Sequence, residues 1–322
     1  MGRVVALSNV SAARRLRASW IQISEALNRR AAWSLVIVVV LLACITTQGA
    51  ASGESSVPLN PALPTLFIAG DSTAAASSNP DQQGWAEPFA TYFDLSKINI
   101  ANRARGGRSS RTFITEGHWE QLLTEVKRGD IVLVQFGHND SGALNEEPPG
   151  STRPLRARGT IPGLGEETQE IDNVITKQHE VVHSFGWYLR KMIADTRAHG
   201  ATPILVSLTE RDIWKDGQVE CGSGDYRQWI AETARVAHVQ FIDLTRILAD
   251  RYQKLGGDEV KAFFSIDHLH TNPKGADFNA AAVVAGLRAV KQPPVARALS
   301  SQGRAVAVDR GPARHSVCLH LR

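Results

Sequence analysis

The sequence predicts an α/β fold in which a parallel β-sheet is covered by helices on both faces. Of the 322 residues, 43% are hydrophobic and 21% are charged, which is ordinary for a globular chain and excludes disorder as a description of the whole. Five short, largely apolar runs also alternate with amphipathic helical stretches. Continuous apolar strands separated by helices are typical of a sheet buried on both faces, and such sheets are parallel.

The predicted elements follow one another at short intervals along the chain. The five predicted strands are Thr65–Ala69, Ile98–Asn102, Ile131–Phe136, Pro203–Ser207 and Val239–Asp243. The predicted helices are Trp119–Lys127, Ser184–His199, Tyr226–Ala237 and Pro273–Val290. Asn272 and Pro273 form the N-cap and first-turn pair that begins the last helix. Since ligands of parallel sheets bind at the carboxyl ends of the strands, residues that directly follow a strand are the first site candidates.

The first 51 residues have the three parts of an export signal. Arginines precede the apolar run Ala31–Ile45, and small residues follow it up to Ala51. A run of about 15 residues is short for a membrane-spanning helix, which needs roughly 20. We therefore expect residues 1–51 to be a signal or membrane-targeting segment of an exported protein, secreted or periplasmic. The stretch Leu41–Cys44 also looks like a bacterial lipobox, so a lipid anchor on Cys44 stays open beside cleavage near Ala51.

Composition divides the remaining chain into three parts. Residues 52–64 form a Pro/Ser-rich linker, residues 65–290 form the folded domain, and residues 291–322 form a basic tail that we expect to be disordered. Within the domain, residues 141–173 are a Gly/Pro/charge-rich insertion, which we expect to form a loop at the rim of the site. Of the three cysteines, only Cys221 and Cys318 can pair within the domain and tail, and we do not predict that they do.

The distribution of charge argues against a nucleic-acid partner. The chain has a formal net charge of +4, but residues 1–51 and 291–322 each carry +5, which leaves −6 on residues 52–290. An acidic body with basic ends does not form a basic groove for phosphates.

Two segments far apart in the sequence supply the parts of a serine nucleophile. Ser72 follows the first strand, where a hydroxyl is exposed, although serine there is also a common helix N-cap. Asp267 and His270 precede the last helix, and a spacing of three lets the carboxylate reach the imidazole ring. A base and a group that orients it are what a serine lacks as a nucleophile. His268 competes for the role of base, but the spacing favours His270.

Neutral hydrogen-bond donors follow the second and third strands. Gly106 and Gly107 come after one strand and Asn139 comes after the next. A glycine N–H and an asparagine amide are suitable donors to an oxyanion, although a tight turn and a helix cap explain the same residues.

These segments resemble the four conserved blocks of the SGNH (GDSL-type) hydrolases, in the order of that family. The flanking text AGDST, GGRSSRTF, VQFGHND and IDHLHTNPKGA is similar to the rhamnogalacturonan acetylesterases of carbohydrate esterase family 12. The resemblance covers roughly residues 66–290. It implies a three-layer α/β/α flavodoxin-like domain with five parallel strands. It also implies that Ser72 is the nucleophile, that His270 is the base oriented by Asp267, and that Ser72, Gly107 and Asn139 form the oxyanion hole.

A second motif points to different chemistry. His179-Glu180-Val181-Val182-His183 matches the H-E-x-x-H zinc-protease pattern, in which the two histidines share one face of a helix. The third-ligand position of the extended pattern holds Leu189, and Glu210 is only a distant substitute. We therefore expect no metal or other cofactor, and we expect this segment to enter the following helix at the rim of the site.

The sequence thus predicts a serine esterase that removes acetyl groups from plant cell-wall polysaccharide, most plausibly rhamnogalacturonan. Contacts to sugar carboxylates and apolar sugar faces are expected from Arg108, Arg111, Trp85, Trp187 and Trp214. A lipase or thioesterase built on the same site is the main alternative. A carbohydrate-binding protein without activity is a more remote one.

Overall fold

The computed structural model describes residues 58–147, 154–222, 224–290, 292–313 and 316–318. The predicted signal segment with Cys44 lies outside the described residues, as do residues 52–57 of the predicted linker. No helix in the described ranges is long and apolar enough to span a membrane.

Five parallel strands form the central sheet. The strands of the chain are β1 (Thr65–Gly70), β2 (Asn99–Asn102), β3 (Ile131–Gln135), β4 (Thr168–Asp172), β5 (His179–His183), β6 (Thr202–Val206), β7 (Trp214–Lys215), β8 (Gln218–Val219) and β9 (Gln240–Ile242). The sheet has the order β2-β1-β3-β6-β9, and all four pairings are parallel. This is the order of a flavodoxin-like doubly wound sheet, so the predicted fold class is confirmed. The other strands form two antiparallel hairpins, β4-β5 and β7-β8.

Helices cover both faces of the sheet. They are α1 (Ala86–Phe89), α2 (Ser110–Thr115), α3 (His118–Leu123), α4 (Phe185–Ala198), α5 (Tyr226–Val236), α6 (Leu244–Leu255), α7 (Gly257–Lys261), α8 (Pro273–Ala289), α9 (Pro293–Ala298) and α10 (Ser301–Ala305). Leu66 and Ile68 of β1 pack with α1, α6 and α8, whereas the alternate residues Phe67 and Ala69 pack with α2 to α5. Both faces of β1 are therefore core, which explains its uninterrupted apolar sequence.

The predicted helix boundaries hold where a side chain caps the helix. Ser184 Oγ accepts the N–H of Trp187 at the start of α4, and Asn272 Oδ1 accepts the N–H of Gly275 at the start of α8. The predicted helix Trp119–Lys127 ends early, at Leu123, and hydrogen-bonded turns replace its last part.

The insertion has more structure than a rim loop. Its later part forms β4, which pairs with β5 just beyond the insertion, and Glu146 pairs with Arg156 through two backbone hydrogen bonds. The hairpin leads directly into α4.

The prediction of a disordered C-terminal tail is wrong for the tail residues in 292–313 and 316–318. Val295, Ala298 and Leu299 are buried in the core cluster shared with α6 and α8, and Leu299 forms a β-bridge with Phe93. Arg246 forms an ion pair with Asp309 of the tail. Cys318 forms a disulfide with Cys221, which the sequence analysis did not predict. Apolar residues at helical spacing and a covalent link together outweigh the basic composition that indicated disorder.

We expect the disulfide to be a measurable source of stability. It joins cysteines 97 residues apart, and disulfides typically contribute about 2–4 kcal/mol to the free energy of unfolding. Urea unfolding of a C221S/C318S variant should show a decrease of this size, and a reductant should lower the stability of the wild type to the same level. A double variant as stable as the oxidised wild type would contradict the expectation.

Candidate active site

Ser72 lies in a tight turn at the carboxyl end of β1. The buried carboxylate of Asp71 holds this turn: its Oδ1 accepts the N–H and the hydroxyl of Thr73 at 2.9 and 2.8 Å. The carbonyl of Asp71 accepts the N–H groups of Ala74 and Ala75. The turn is not continued by a helix, since α1 begins only at Ala86. Ser72 therefore caps no helix, and its partly exposed hydroxyl is available for other contacts.

His270 connects Ser72 to Asp267. Ser72 Oγ and His270 Nε2 are 2.9 Å apart, and His270 Nδ1 and Asp267 Oδ2 are 2.7 Å apart. Asp267 Oδ1 also accepts the N–H groups of Leu269 and His270, both at 2.7 Å. Burial acts to raise the pKa of Asp267, but these hydrogen bonds and the His270 ring outweigh it and hold the pKa below its usual value. The exposed His268 is not the histidine that meets Ser72.

The predicted oxyanion donors lie around the same serine. A Cβ added at Gly106 would be 3.8 Å from Ser72 Cβ, so the Gly106-Gly107 turn packs against the serine. Gly107 has a φ of 76°, a left-handed conformation that favours glycine. Asn139 Nδ2 donates to the carbonyl of Arg108 at 3.0 Å, which places the amide next to Gly107. In the described part of the chain, the N–H groups of Ser72 and Gly107 donate to no protein acceptor.

Comparison with known proteins identifies this arrangement. Residues 68–278 match the model of the GDSL-like Lipase/Acylhydrolase family, and this span covers more than half of the chain. The chain belongs to the GDSL-like lipase/acylhydrolase family. The resemblance stated from the sequence is confirmed, and the protein is a carboxylic ester hydrolase.

Three relatives define its position among known proteins. A rhamnogalacturonan acetylesterase of Emericella nidulans is 31% identical over 212 residues, which is 66% of this chain and 80% of that protein. A probable rhamnogalacturonan acetylesterase of Bacillus subtilis is 28% identical over 234 residues, 71% of this chain and 94% of that protein. The crystal structure of the Bacillus subtilis protein YxiM superimposes with a TM-score of 0.54 at 25% identity, and the match covers 71% of this chain and 57% of that one.

In this GDSL-like hydrolase, Trp85 is connected to the serine turn through buried hydrogen bonds. Its side chain is fully buried, and its Nε1 donates to Gln135 Oε1 at 2.8 Å. Gln135 Nε2 in turn donates to Thr73 Oγ1 at 3.2 Å, and Thr73 contacts Asp71. The prediction that Trp85 contacts substrate is therefore wrong, because the indole lies in the core, where its N–H is satisfied by Gln135.

Two buried carboxyl groups that the sequence analysis did not assign lie beneath the site. Burial raises the pKa of Asp71, and burial together with the charge of Asp71 raises the pKa of Asp140 to about 7. Asp140 accepts the N–H and the hydroxyl of Ser110, while Asp71 Oδ2 is buried with no hydrogen-bond partner. His138 is also buried beside them, and burial lowers its pKa to about 3. The motif GHND contains His138 and Asp140, but the sequence does not indicate that their side chains are buried.

Three other predicted substrate contacts are partly exposed. Arg108 is partly exposed, and it binds Glu116 at 2.8 Å and the carbonyl of Gly106 at 2.9 Å. Trp187 is partly exposed in the first turn of α4 and stacks on His183, with ring centroids 3.7 Å apart. Trp214 is partly exposed in β7, and its Nε1 donates to Asp212. Substrate contact by these three stays a prediction.

The structure contradicts the role expected for Arg111. Its side chain is fully buried, and its guanidinium binds both carboxylate oxygens of Glu180 at 2.7 Å. It also donates to the carbonyls of Leu144 and Gly159, both at 2.8 Å. Arg111 therefore fastens the insertion to α2 and cannot reach a substrate.

The H-E-x-x-H segment is strand β5, not part of a helix. Residues four apart on a strand are separated by about 13 Å, so His179 and His183 cannot bind one metal ion together. Glu180 is held by Arg111 and is not free to act as a base. The segment is a strand and not a helix because it pairs with β4. The expectation that this segment leads into a helix is confirmed, since α4 follows directly.

One other group of potential metal ligands lies together in the described ranges, formed by Glu210, Cys221 and Cys318. Both sulfur atoms are engaged in the disulfide, and the Glu210 carboxylate accepts the N–H groups of Arg211 and Gly222. Burial raises the pKa of Glu210 to about 8. The disulfide thus joins the tail to the segment after β8, and Glu210 joins that segment to the loop after β6.

Sequence reasoning also missed Arg158 of the insertion. Its Nη1 would be 3.9 Å from a Cβ added at Gly107, so its guanidinium lies beside the predicted oxyanion hole. The only sequence signal was the basic character of the stretch around it.

We predict that Glu180→Gln destabilises the fold by about 3 kcal/mol, because it leaves the buried Arg111 charge without its partner. The neighbouring His179, whose side chain is 61% exposed, provides the control. His179→Gln should change stability by less than about 0.5 kcal/mol. Urea unfolding of both variants tests this, and equal losses, or no loss in Glu180→Gln, would show that the ion pair does not fasten the insertion.

Proposed function

We propose that this hydrolase is a rhamnogalacturonan acetylesterase, which removes O-acetyl groups from pectic polysaccharide. The observation that carries the proposal is the hydrogen-bonded chain Ser72–His270–Asp267 in a protein 31% identical to a rhamnogalacturonan acetylesterase. The three hydrogen-bonded residues support the type of reaction, and the similarity to that relative supports the class of substrate.

In the first half of the reaction, Ser72 becomes acetylated. Ser72 Oγ attacks the acetyl carbonyl carbon while His270 Nε2 takes its proton, and the carbonyl oxygen becomes an oxyanion. Asp267 accepts the Nδ1–H of His270, which fixes the tautomer and stabilises the imidazolium. When the tetrahedral intermediate collapses, His270 returns the proton to the departing sugar oxygen, and the acetyl group stays on Ser72.

The second half repeats these steps with water. His270 takes a proton from a water molecule, whose oxygen attacks the acetyl-enzyme carbonyl. Collapse of the second intermediate releases acetic acid, and the proton on His270 returns to Ser72 Oγ. No metal or cofactor takes part in this sequence.

We assign the oxyanion hole to the N–H groups of Ser72 and Gly107 and the amide of Asn139. The two N–H groups have no protein acceptor in the described residues, which supports their assignment. Asn139 spends one amide hydrogen on the carbonyl of Arg108, so its other hydrogen is available to the oxyanion. All three donors are neutral and preorganised.

The surface beside Gly107 favours a carbohydrate over a long-chain acyl ester. A long acyl chain binds in a wide apolar groove, but Arg108, Arg156 and Arg158 line the cavity that adjoins Gly107. Pectic polysaccharide also lies outside cells, which agrees with the export that the first 51 residues predict. We propose that this protein is exported.

We predict that Ser72→Ala abolishes acetate release without unfolding the protein, because it removes only the nucleophilic hydroxyl. Ser77→Ala, which removes an exposed hydroxyl on the same loop, should keep full activity. The measurement is acetate released from acetylated rhamnogalacturonan and acetylated xylan, and p-nitrophenol released from p-nitrophenyl acetate and p-nitrophenyl octanoate.

The panel separates the substrate classes. Preference for rhamnogalacturonan supports the proposal, whereas preference for xylan would move the enzyme to another polysaccharide. Turnover of the octanoate ester alone would make it a lipase-like member of the family. Activity retained in Ser72→Ala would remove this serine from the mechanism.

We predict that Asn139→Ala lowers kcat by about 10²- to 10³-fold and leaves KM nearly unchanged, because the amide acts on the oxyanion. Asn145→Ala is a matched control, since its amide also donates to a backbone carbonyl, that of Asp172, at 3.0 Å. This control should keep its kcat. If both variants have the same kcat on p-nitrophenyl acetate, Asn139 is only a structural residue of its loop.

A further inference from the structure

A cavity of about 480 Å³ opens beside Gly107, between the segment that runs from Gly107 into α2 and the insertion. The insertion supplies Leu155, Arg156 and Arg158 to its wall, and the segment after β2 supplies Arg108 and Glu116. The Gly106-Gly107 turn borders the cavity at Gly107 and packs against Ser72 at Gly106, so a ligand in the cavity lies near the group that reacts at the serine.

The charges around this cavity do not balance. Arg108 is paired with Glu116 at 2.8 Å, which is the acidic residue of the lining. Arg156 and Arg158 form no ion pair with any described carboxylate. The cavity therefore carries two guanidinium groups that have no ion-pair partner among the described carboxylates.

Arg158 is held in a fixed position despite lacking a partner. Its Nε is buried and has no hydrogen-bond partner, and it packs against Gly142, where an added Cβ would be 3.3 Å from it. Burial lowers the pKa of Arg158, and the charge of Arg156 lowers it further, while Asp71 opposes this. Two neighbouring cations that repel each other in a partly buried wall are stabilised by an anion bound between them.

We propose that Arg156 and Arg158 form a subsite for the carboxylate of a uronic acid unit, adjacent to the sugar whose acetyl group reaches Ser72. A guanidinium binds a carboxylate through two parallel hydrogen bonds, and uronate carboxylates are ionised at neutral pH. The subsite deepens the proposed function and rests on it, because it explains how an acetylesterase selects an acidic polysaccharide over a neutral one.

The test is a comparison of one substrate with and without its carboxylates. Acetylated rhamnogalacturonan oligosaccharide, the same oligosaccharide after chemical reduction of its carboxyl groups, and p-nitrophenyl acetate are assayed with an R156Q/R158Q variant. We expect kcat/KM on the acidic oligosaccharide to fall about 10- to 100-fold, mainly through KM. Turnover of the two neutral substrates should change less than about twofold. R128Q, at an exposed site before β3, is the control and should match the wild type on all three.

Two results would overturn the subsite. An equal loss on acidic and neutral substrates would place the two arginines in the reaction at Ser72 or in the fold. An unchanged kcat/KM on the acidic oligosaccharide would show that they do not contact its carboxylate.

A binding measurement keeps this test separate from that of the proposed function. Calorimetric titration of the wild type with deacetylated rhamnogalacturonan oligosaccharide needs no turnover. If no acetylated polysaccharide is hydrolysed, the proposed function fails, yet binding that R156Q/R158Q abolishes and R128Q retains would uphold the anionic subsite. No binding by the wild type would overturn it.

Discussion

The contact between Ser72 and His270 depends on the parallel arrangement of the sheet, in which every strand ends at the same edge. β1 lies between β2 and β3, so the segments that follow these three strands are neighbours in space. They carry Ser72, Gly107 and Asn139, respectively. His270 is 198 residues further along than Ser72, but it directly precedes α8, whose first turn lies at this edge. An antiparallel β1 would place the serine at the opposite edge, away from every other group in the site.

The buried charges beneath this edge are compatible with an oxyanion above it only because burial alters their ionisation. A fully charged pair at Asp71 and Asp140 would repel negative charge developing at Ser72. Burial raises the pKa of both groups, and the charge of Asp71 raises the pKa of Asp140 further. Arg158, which acts electrostatically on Asp71, brings positive charge to the same region.

Most of the sheet could be predicted because short-range signals specify its strands, and the histidine–serine contact could be predicted because the segments around both residues resemble blocks of one family. Apolar runs fix the five strands, and Asn272 and Pro273 fix the start of the last helix. The errors occur where long-range packing decides. An indole can face solvent or core with the same sequence, and the bond from Trp85 to Gln135 settled that choice. The segment beginning at His179 fits a helix or a strand by pattern, and only its pairing with β4 makes it a strand.

The insertion connects fold stability to the proposed anionic subsite in a way that no local sequence pattern specifies. Arg111 binds Glu180 of β5 and two carbonyls of the insertion, so one buried guanidinium holds both ends of this segment. Arg158 directly precedes Gly159, one of the two residues whose carbonyl Arg111 binds. The position of Arg158 beside Gly107 is therefore set by the contacts of Arg111 on α2, not by the reacting residues themselves. Changes in the insertion would therefore act on the proposed anionic subsite while Ser72, His270 and Asp267 keep their geometry.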